Sequence, residues 1–264
     1  MSALTDQTVL LTGASGGIGM ALCEALVKAG ARVLAVGRNE QKLRELAAQH
    51  PFGKVLWVKA DLASPDGPAQ VVAAAERVQP TPSIVVMAHA QSAFNLFEDQ
   101  SPEMLQQLVQ VNLQAPMMLV HGLLPLLKRH ANASVVAIGS TFGSLAFPGF
   151  AAYSATKFGL RGLMEGLARE YGDSALRFQY LSPRATRTAF NSPQVEAMNR
   201  EMKVSQDDPA DVAAQLVDAI VRGDRRMQIG WPEKLFARLN GALPGLVDRN
   251  LIAQLPIVRR HARS

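Results

Sequence analysis

Only one cysteine, Cys23, occurs in 264 residues. An intramolecular disulfide is therefore excluded, which fits a reducing compartment. Cys23 lies in an apolar helical stretch and is expected to be a small core residue rather than a nucleophile. No apolar run is long enough to span a bilayer. The amino terminus, Met1-Ser2-Ala3-Leu4-Thr5-Asp6, lacks the basic-then-apolar pattern of a secretory signal. These absences lead us to expect a cytoplasmic protein, at most peripheral to a membrane. There is no internal repeat, low-complexity segment or interdomain linker, and no metal site is expected. Charge of neither sign dominates: the net charge is +5, and the basic residues are spread out except for Arg259, Arg260, His261 and Arg263. Such an excess does not point to nucleic acid. With 48% hydrophobic and 19% charged residues, the chain is expected to be globular, with one large α/β domain and a sizeable core.

Short β-branched runs alternate with longer helical patterns. Strands are expected at 8–12, 32–36, 55–59, 84–87, 135–139, 178–181 and 227–229. Helices are expected at 18–29, 40–50, 70–78, 102–111, 115–129, 153–170 and 209–222, the last capped by Asp208. This rhythm predicts a doubly wound parallel sheet of Rossmann type, with right-handed crossovers and helices on both faces. The polar segment 184–206 follows a strand carboxyl end, where such sheets bind ligands. It reads as a lid over the substrate or as an ordinary long loop.

Two motifs carry chemistry. The first strand runs into Thr12-Gly13-Ala14-Ser15-Gly16-Gly17-Ile18-Gly19 and then a helix, the context a dinucleotide needs. Gly13 permits the tight turn, and Gly17 and Gly19 let backbone approach a pyrophosphate. The helix start offers unpaired N–H groups to phosphate. Further on, Tyr153 and Lys157 are four residues apart, on one helix face. The ammonium is expected to favour phenolate and lower the tyrosine pKa, giving an acid that serves a carbonyl or an alcohol.

The spacing Gly-x-x-x-Gly-x-Gly together with Tyr153-x-x-x-Lys157 resembles the short-chain dehydrogenase/reductase family, over about residues 6–230. Asp61, in Asp61-Leu62, matches the family aspartate near the adenine. Asn112 matches the asparagine that supports a proton-relay water. Ser140, thirteen residues before Tyr153, matches the family serine. The resemblance implies Tyr153 as general acid or base, Lys157 on the nicotinamide ribose, Ser140 on the substrate oxygen, and Asn112 ordering water towards Lys157. It also implies cofactor contacts at Gly13, Ser15, Gly17, Ile18, Gly19, Asp61, Leu62, Ala88 and Pro183, and a homo-oligomer acting on a small carbonyl or alcohol. Thr188 matches the threonine that contacts the carboxamide, with Thr186 as a competing candidate. After the second strand the chain reads Val36-Gly37-Arg38-Asn39. The acid that would bond ribose hydroxyls is missing, and Arg38 can pair with a 2′-phosphate, so NADP(H) is expected over NAD(H).

Three positions depart from the family. Asn-Asn-Ala-Gly is replaced by Met87-Ala88-His89-Ala90, in which His89 is expected to serve packing, the alternative being a proton-transfer role facing the cofactor crevice. Pro-Gly is replaced by Pro183-Arg184, with Arg184 expected near the nicotinamide or in solvent. Residues 231–264 fall outside the shared motifs, leaving residues 1–230 as the cofactor-binding and catalytic part. Leu235, Leu239, Leu243, Leu246 and Val247 of this extension recur at helical spacing, interrupted by Pro244 and Gly245. Basic residues Lys234, Arg238 and Arg249 flank this stripe. Such a stripe fits packing on the domain or a second subunit, a lipophilic substrate entrance, or an anionic membrane surface. Phe142, Leu145, Phe147, Phe150 and Phe190 suggest apolar pocket walls, hence a hydrophobic ketone or acyl substrate.

Overall fold

The β-branched runs pair as seven parallel strands in the order β3-β2-β1-β4-β5-β6-β7. They are β1 (Thr8–Thr12), β2 (Arg32–Gly37), β3 (Val55–Lys59), β4 (Ile84–Met87), β5 (Ala133–Ile138), β6 (Leu176–Ser182) and β7 (Arg226–Gln228). The computed structural model describes residues 3–231 and 233–263; Met1, Ser2, Pro232 and Ser264, which bound or fall within the expected segments, lie outside the described residues. Strand periodicity divides the core in two. Val9, Leu11, Ile84 and Val86 face one side, with α1 (Gly17–Lys28), α2 (Glu40–Ala48) and α8 (Pro209–Arg222). Leu10, Val85, Met87, Val135 and Ala137 face the other, with α3 (Gly67–Arg77), α5 (Ala115–Leu127) and α6 (Ala151–Glu170). Strand order reverses between β1 and β4, so their carboxyl ends open on a crevice at the topological switch point. Cys23 is a buried core residue, its thiol pushed up to about 12 by burial.

Three stretches differ from expectation. Helix α4 (Pro102–Val109) ends before 111 and runs into a π-helical turn, Gln110–Gln114, which leads into α5. The extra residue in this turn carries Asn112 and is invisible to a 3.6-residue period. The segment 184–206 is not irregular throughout, since it contains α7 (Pro193–Glu201). Ser192 caps that helix by accepting from the Val195 amide at 3.3 Å, and Pro193 stands in its first turn, where its missing N–H costs nothing. Finally, Pro244 does not only interrupt the carboxyl-terminal pattern. It opens α10 (Pro244–Ala253), between α9 (Glu233–Ala242) and α11 (Leu255–Ala262). Helix α11 packs back onto α7. No helix among the described residues is long and apolar enough to cross a membrane.

Candidate active site

The glycine loop lies where three backbones crowd together. Gly13 adopts φ +68°, and a Cβ there would stand 2.7 Å from the His89 amide nitrogen. A Cβ on Gly19 would strike the Gly13 carbonyl oxygen, so α1 can begin here only without one. Helix α1 has Gly16 at its N-cap, no side-chain cap and no acidic residue in its first turn. Its leading N–H groups are therefore offered to an anion, as a dinucleotide diphosphate requires. Ile18 sits in this first turn. A Cβ on Gly37 would stand 2.8 Å from Ser15 Oγ, so the close approach of Ser15 requires glycine at that position. Arg38 beside it is exposed, and its guanidinium makes no ion pair among the described residues. Asp61 is exposed after β3, its carboxylate accepting from the Ala63 amide at 3.0 Å. The Leu62 side chain is buried in the core, which leaves only its backbone for a ligand. Ala88 follows β4, and its amide donates to the Thr12 carbonyl.

Across the crevice, the predicted threonines separate. Thr188 lies against Gly17, where a Cβ would stand 2.5 Å from its Cγ2. Thr186 instead donates to the Arg184 carbonyl at 3.0 Å and bridges to Asp207 at the base of the loop. Thr188 is thus the one that reaches the glycine loop. Pro183 is buried at the end of β6.

Tyr153 and Lys157 fall one turn apart on α6, both almost fully buried. The Tyr153 phenol hydrogen-bonds with Ser140, which follows β5. Lys157 Nζ donates to the Ile138 carbonyl at 3.2 Å and lies 5.7 Å from the Tyr153 ring centre. The expected lowering of the phenol pKa by Lys157 is not found. Burial raises it above its ordinary value and outweighs the opposing effect of the Ser140 hydrogen bond. Burial likewise pushes Lys157 down to about 8. The pair therefore presents a protonated phenol, the form that can give a proton to an oxygen. Asn112 is buried in the π turn. Its Nδ2 donates to the Gln91 carbonyl at 2.8 Å and to Thr156 Oγ1 at 3.1 Å, while its Oδ1 accepts from the Gln91 amide at 2.8 Å. Both amide protons are committed, so its side chain pins the π turn to α6 and to the loop after β4.

Several features escaped the sequence. His89 Nδ1 lies 2.6 Å from Thr12 Oγ1, and its imidazole, partly buried, is pushed down to about 3 by burial and then by Lys157. It stays neutral and joins the glycine loop to the loop after β4. Arg184 is largely withdrawn from solvent. It grips Asp207 in a two-pronged pair, at 2.9 and 2.6 Å, and stands 3.6 Å from Glu233. The acids were visible in the sequence, but the fold alone brings them together. Around Tyr153 stand Phe142, Phe150 and Phe190, with ring centres 6.3–6.4 Å away. Phe147 belongs to the same apolar cluster, and so does Val258 of α11. Leu145 is buried outside it.

Comparison with known proteins agrees with this geometry. The family model described as short chain dehydrogenase matches residues 7–199. An uncharacterized oxidoreductase of Escherichia coli (strain K12), YciK, is 32% identical over 195 residues, 72% of this chain and 77% of that protein. A short-chain dehydrogenase structure from Streptomyces avermitilis is 29% identical with TM-score 0.79, covering 96% of this chain and 97% of that one. One from Sphingobium yanoikuyae, in complex with NADPH, is 25% identical with TM-score 0.79, covering 92% and 95%. The fold is shared with a Burkholderia phymatum structure in complex with NAD, at 18% identity and TM-score 0.83, covering 93% and 96%. The chain belongs to the short-chain dehydrogenase family and is an oxidoreductase.

The displaced pKa of Lys157 has a measurable sign. Below about pH 8 the lysine is charged in both folded and unfolded states, and its burial cost is constant. Between about 8 and its ordinary 10.5, the unfolded chain holds a proton that the folded chain has released, so stability rises with pH. The full change is about 3 kcal/mol. Lys157→Met should be the more stable protein at pH 7.5 and should lose that advantage by pH 10, as read from urea midpoints. A gap that does not change with pH removes this account of Lys157.

Proposed function

We propose that the chain is an NADP(H)-dependent carbonyl reductase or alcohol dehydrogenase acting on a hydrophobic ketone or acyl-type substrate. The observation that carries this reading is the buried Tyr153 phenol, hydrogen-bonded with Ser140, one turn from Lys157 and walled by phenylalanine. When bound, the nicotinamide supplies the hydride; the chain supplies position and the proton. The diphosphate would lie on the α1 amides at Gly17, Ile18 and Gly19, with Gly13 and Ser15 shaping the turn. Asp61, Leu62 and Ala88 would border the nucleoside, and Pro183 and Thr188 the carboxamide. Arg38 would pair with a 2′-phosphate, a reading that the NADPH-bound relative supports. Ser140 would hold the substrate oxygen against the phenol, Tyr153 would donate its proton in reduction and take one in oxidation, and Lys157 would hold the ribose. Asn112 would act by fixing the π turn behind them.

Residues 1–230 would form this unit, with 231–264 as an extension of it. Met117 and Met118 on α5 and Phe158 on α6 are exposed, which suits a second copy of the chain. A membrane reading also has an observation behind it. Trp231 is 69% exposed, and Leu246 and Ile252 are 66% and 61% exposed, on the segment that carries Lys234, Arg238 and Arg249.

Tyr153→Phe should lower turnover by about 10²–10⁴ while leaving NADPH binding in place. Full activity in that variant removes the proton donor from the proposal. A native chain that binds NADPH but reduces no member of a broad carbonyl panel is a regulator instead. Arg38→Ala should weaken NADPH by roughly tenfold or more with little change for NADH, since a charged hydrogen bond is lost only with the phosphate. Equal losses in fluorescence titration rule that out. For the membrane reading, the native chain should sediment with vesicles of anionic lipid and less so with neutral ones; no sedimentation with either rejects it.

A further inference from the structure

We propose that Tyr180, on β6, is a positioning residue that fixes Ser140 against the helical turn of Tyr153 and Lys157. This rests on the carbonyl reading above and adds the group that holds Ser140 in place for it. Tyr180 is 3% exposed and stands beside Ala137 in the sheet register. With so small a neighbour on β5, its ring extends past the end of that strand to the turn Thr141–Gly143. Two glycines bracket Ser140 there, and both make room for this one side chain. A Cβ on Gly139 would strike the Tyr180 ring and stand 2.6 Å from its hydroxyl. A Cβ on Gly143 would strike the hydroxyl itself and stand 3.0 Å from the Lys157 carbonyl oxygen. Neither glycine has a positive φ, so it is space for Tyr180, not backbone conformation, that requires them.

The hydroxyl serves two elements. It donates to the Lys157 carbonyl at 3.2 Å, and it is hydrogen-bonded with the Ser140 backbone. A buried hydroxyl needs partners, and here they are main-chain groups of the two segments that meet at the site. From there the route to the phenol is short. The turn aims the Phe142 amide at Ser140 Oγ, which accepts at 3.1 Å, and the serine hydrogen-bonds with Tyr153. Other bonds hold the loop further along. Arg161, one turn after Lys157, donates to Ser144 Oγ at 2.8 Å, and Gln228 donates to Thr141 Oγ1 at 2.9 Å. Those two grip residues beyond the serine, whereas Tyr180 grips the serine backbone and α6 together.

The test reads the contact between Tyr153 and Ser140 itself. The chain has three tyrosines, so in protein isotopically labelled at tyrosine Cζ the Tyr153 resonance is identified by its loss in Tyr153→Phe. Tyr180→Phe keeps the ring and removes the hydroxyl. In that variant the Tyr153 resonance should move toward its position in Ser140→Ala. For a ketone reduced with NADPH, kcat and kcat/KM should fall together by about five- to tenfold, as for one lost buried hydrogen bond. The Kd for NADPH should stay within about twofold, since the groups that hold the cofactor are untouched. An unmoved Tyr153 resonance overturns the proposal, whatever happens to the rate. Gly139→Ala is an independent probe, because its Cβ meets the ring while every hydroxyl is kept. It should move the same resonance and lower kcat. It should cost little more once Tyr180→Val has emptied that space, and losses that simply multiply overturn the proposal. If the native chain reduces no ketone, the carbonyl reading fails, and the Tyr153 resonance still decides the role of Tyr180.

Discussion

Everything in the site depends on a backbone contact that tolerates no side chain. The Gly13 carbonyl occupies the space a Cβ on Gly19 would need, and a Cβ on Gly13 would strike the backbone at Ala88 and His89. This contact sets where α1 starts relative to β1 and β4, and so where its free amides point. It also fixes the loop after β4, through which Gln91 holds Asn112 and the π turn. From that turn, Thr156 links to α6. The position of Tyr153 is thus connected to the glycine loop through a short chain of hydrogen bonds, and both halves of the site share one reference point.

Burial, rather than pairing, sets the protonation of this centre. Tyr153 and Lys157 are at the expected helical spacing, but the ammonium is directed at a main-chain carbonyl. Each group is pushed toward its neutral form, the phenol upward and the amine downward. His89 behaves likewise and remains an uncharged imidazole beside Thr12. At neutral pH the phenol and the imidazole are then uncharged, and Lys157 carries the positive charge among these three groups. An incoming anionic or cationic group has a large influence there, since little water or counter-charge screens it.

The strands were legible because most are short, continuous apolar runs of the kind a sheet covered on both faces requires, and the glycines punctuate them. Tyr153 and Lys157 were legible from their helical spacing, and Ser140 from its match to the family serine. The π turn was not, since one inserted residue changes no composition and interrupts the period only locally. Helix α7 was hidden in a polar stretch, where Val195, Met198 and Asn199 alone are buried. The direction of the tyrosine shift was misread because helical spacing says that two side chains are near, whereas burial depends on what the rest of the chain stacks over them. The route of the tail was open for the same reason: its apolar stripe fitted several partners, and the fold packs α11 on α7, with Val258 in the apolar cluster that contains Tyr153.

Arg184 makes the tail and the loop after β6 interdependent. In place of glycine it fills the space beside Gly230 and holds Asp207 and Glu233, two carboxylates that are each about four-fifths buried. Restoring the family glycine would leave two acids side by side with no cation between them. Transplanting residues 231–264 onto a relative without this arginine would create half of the same fault. The extension and position 184 are therefore coupled through Glu233, and a change at either alters the charge balance at the other.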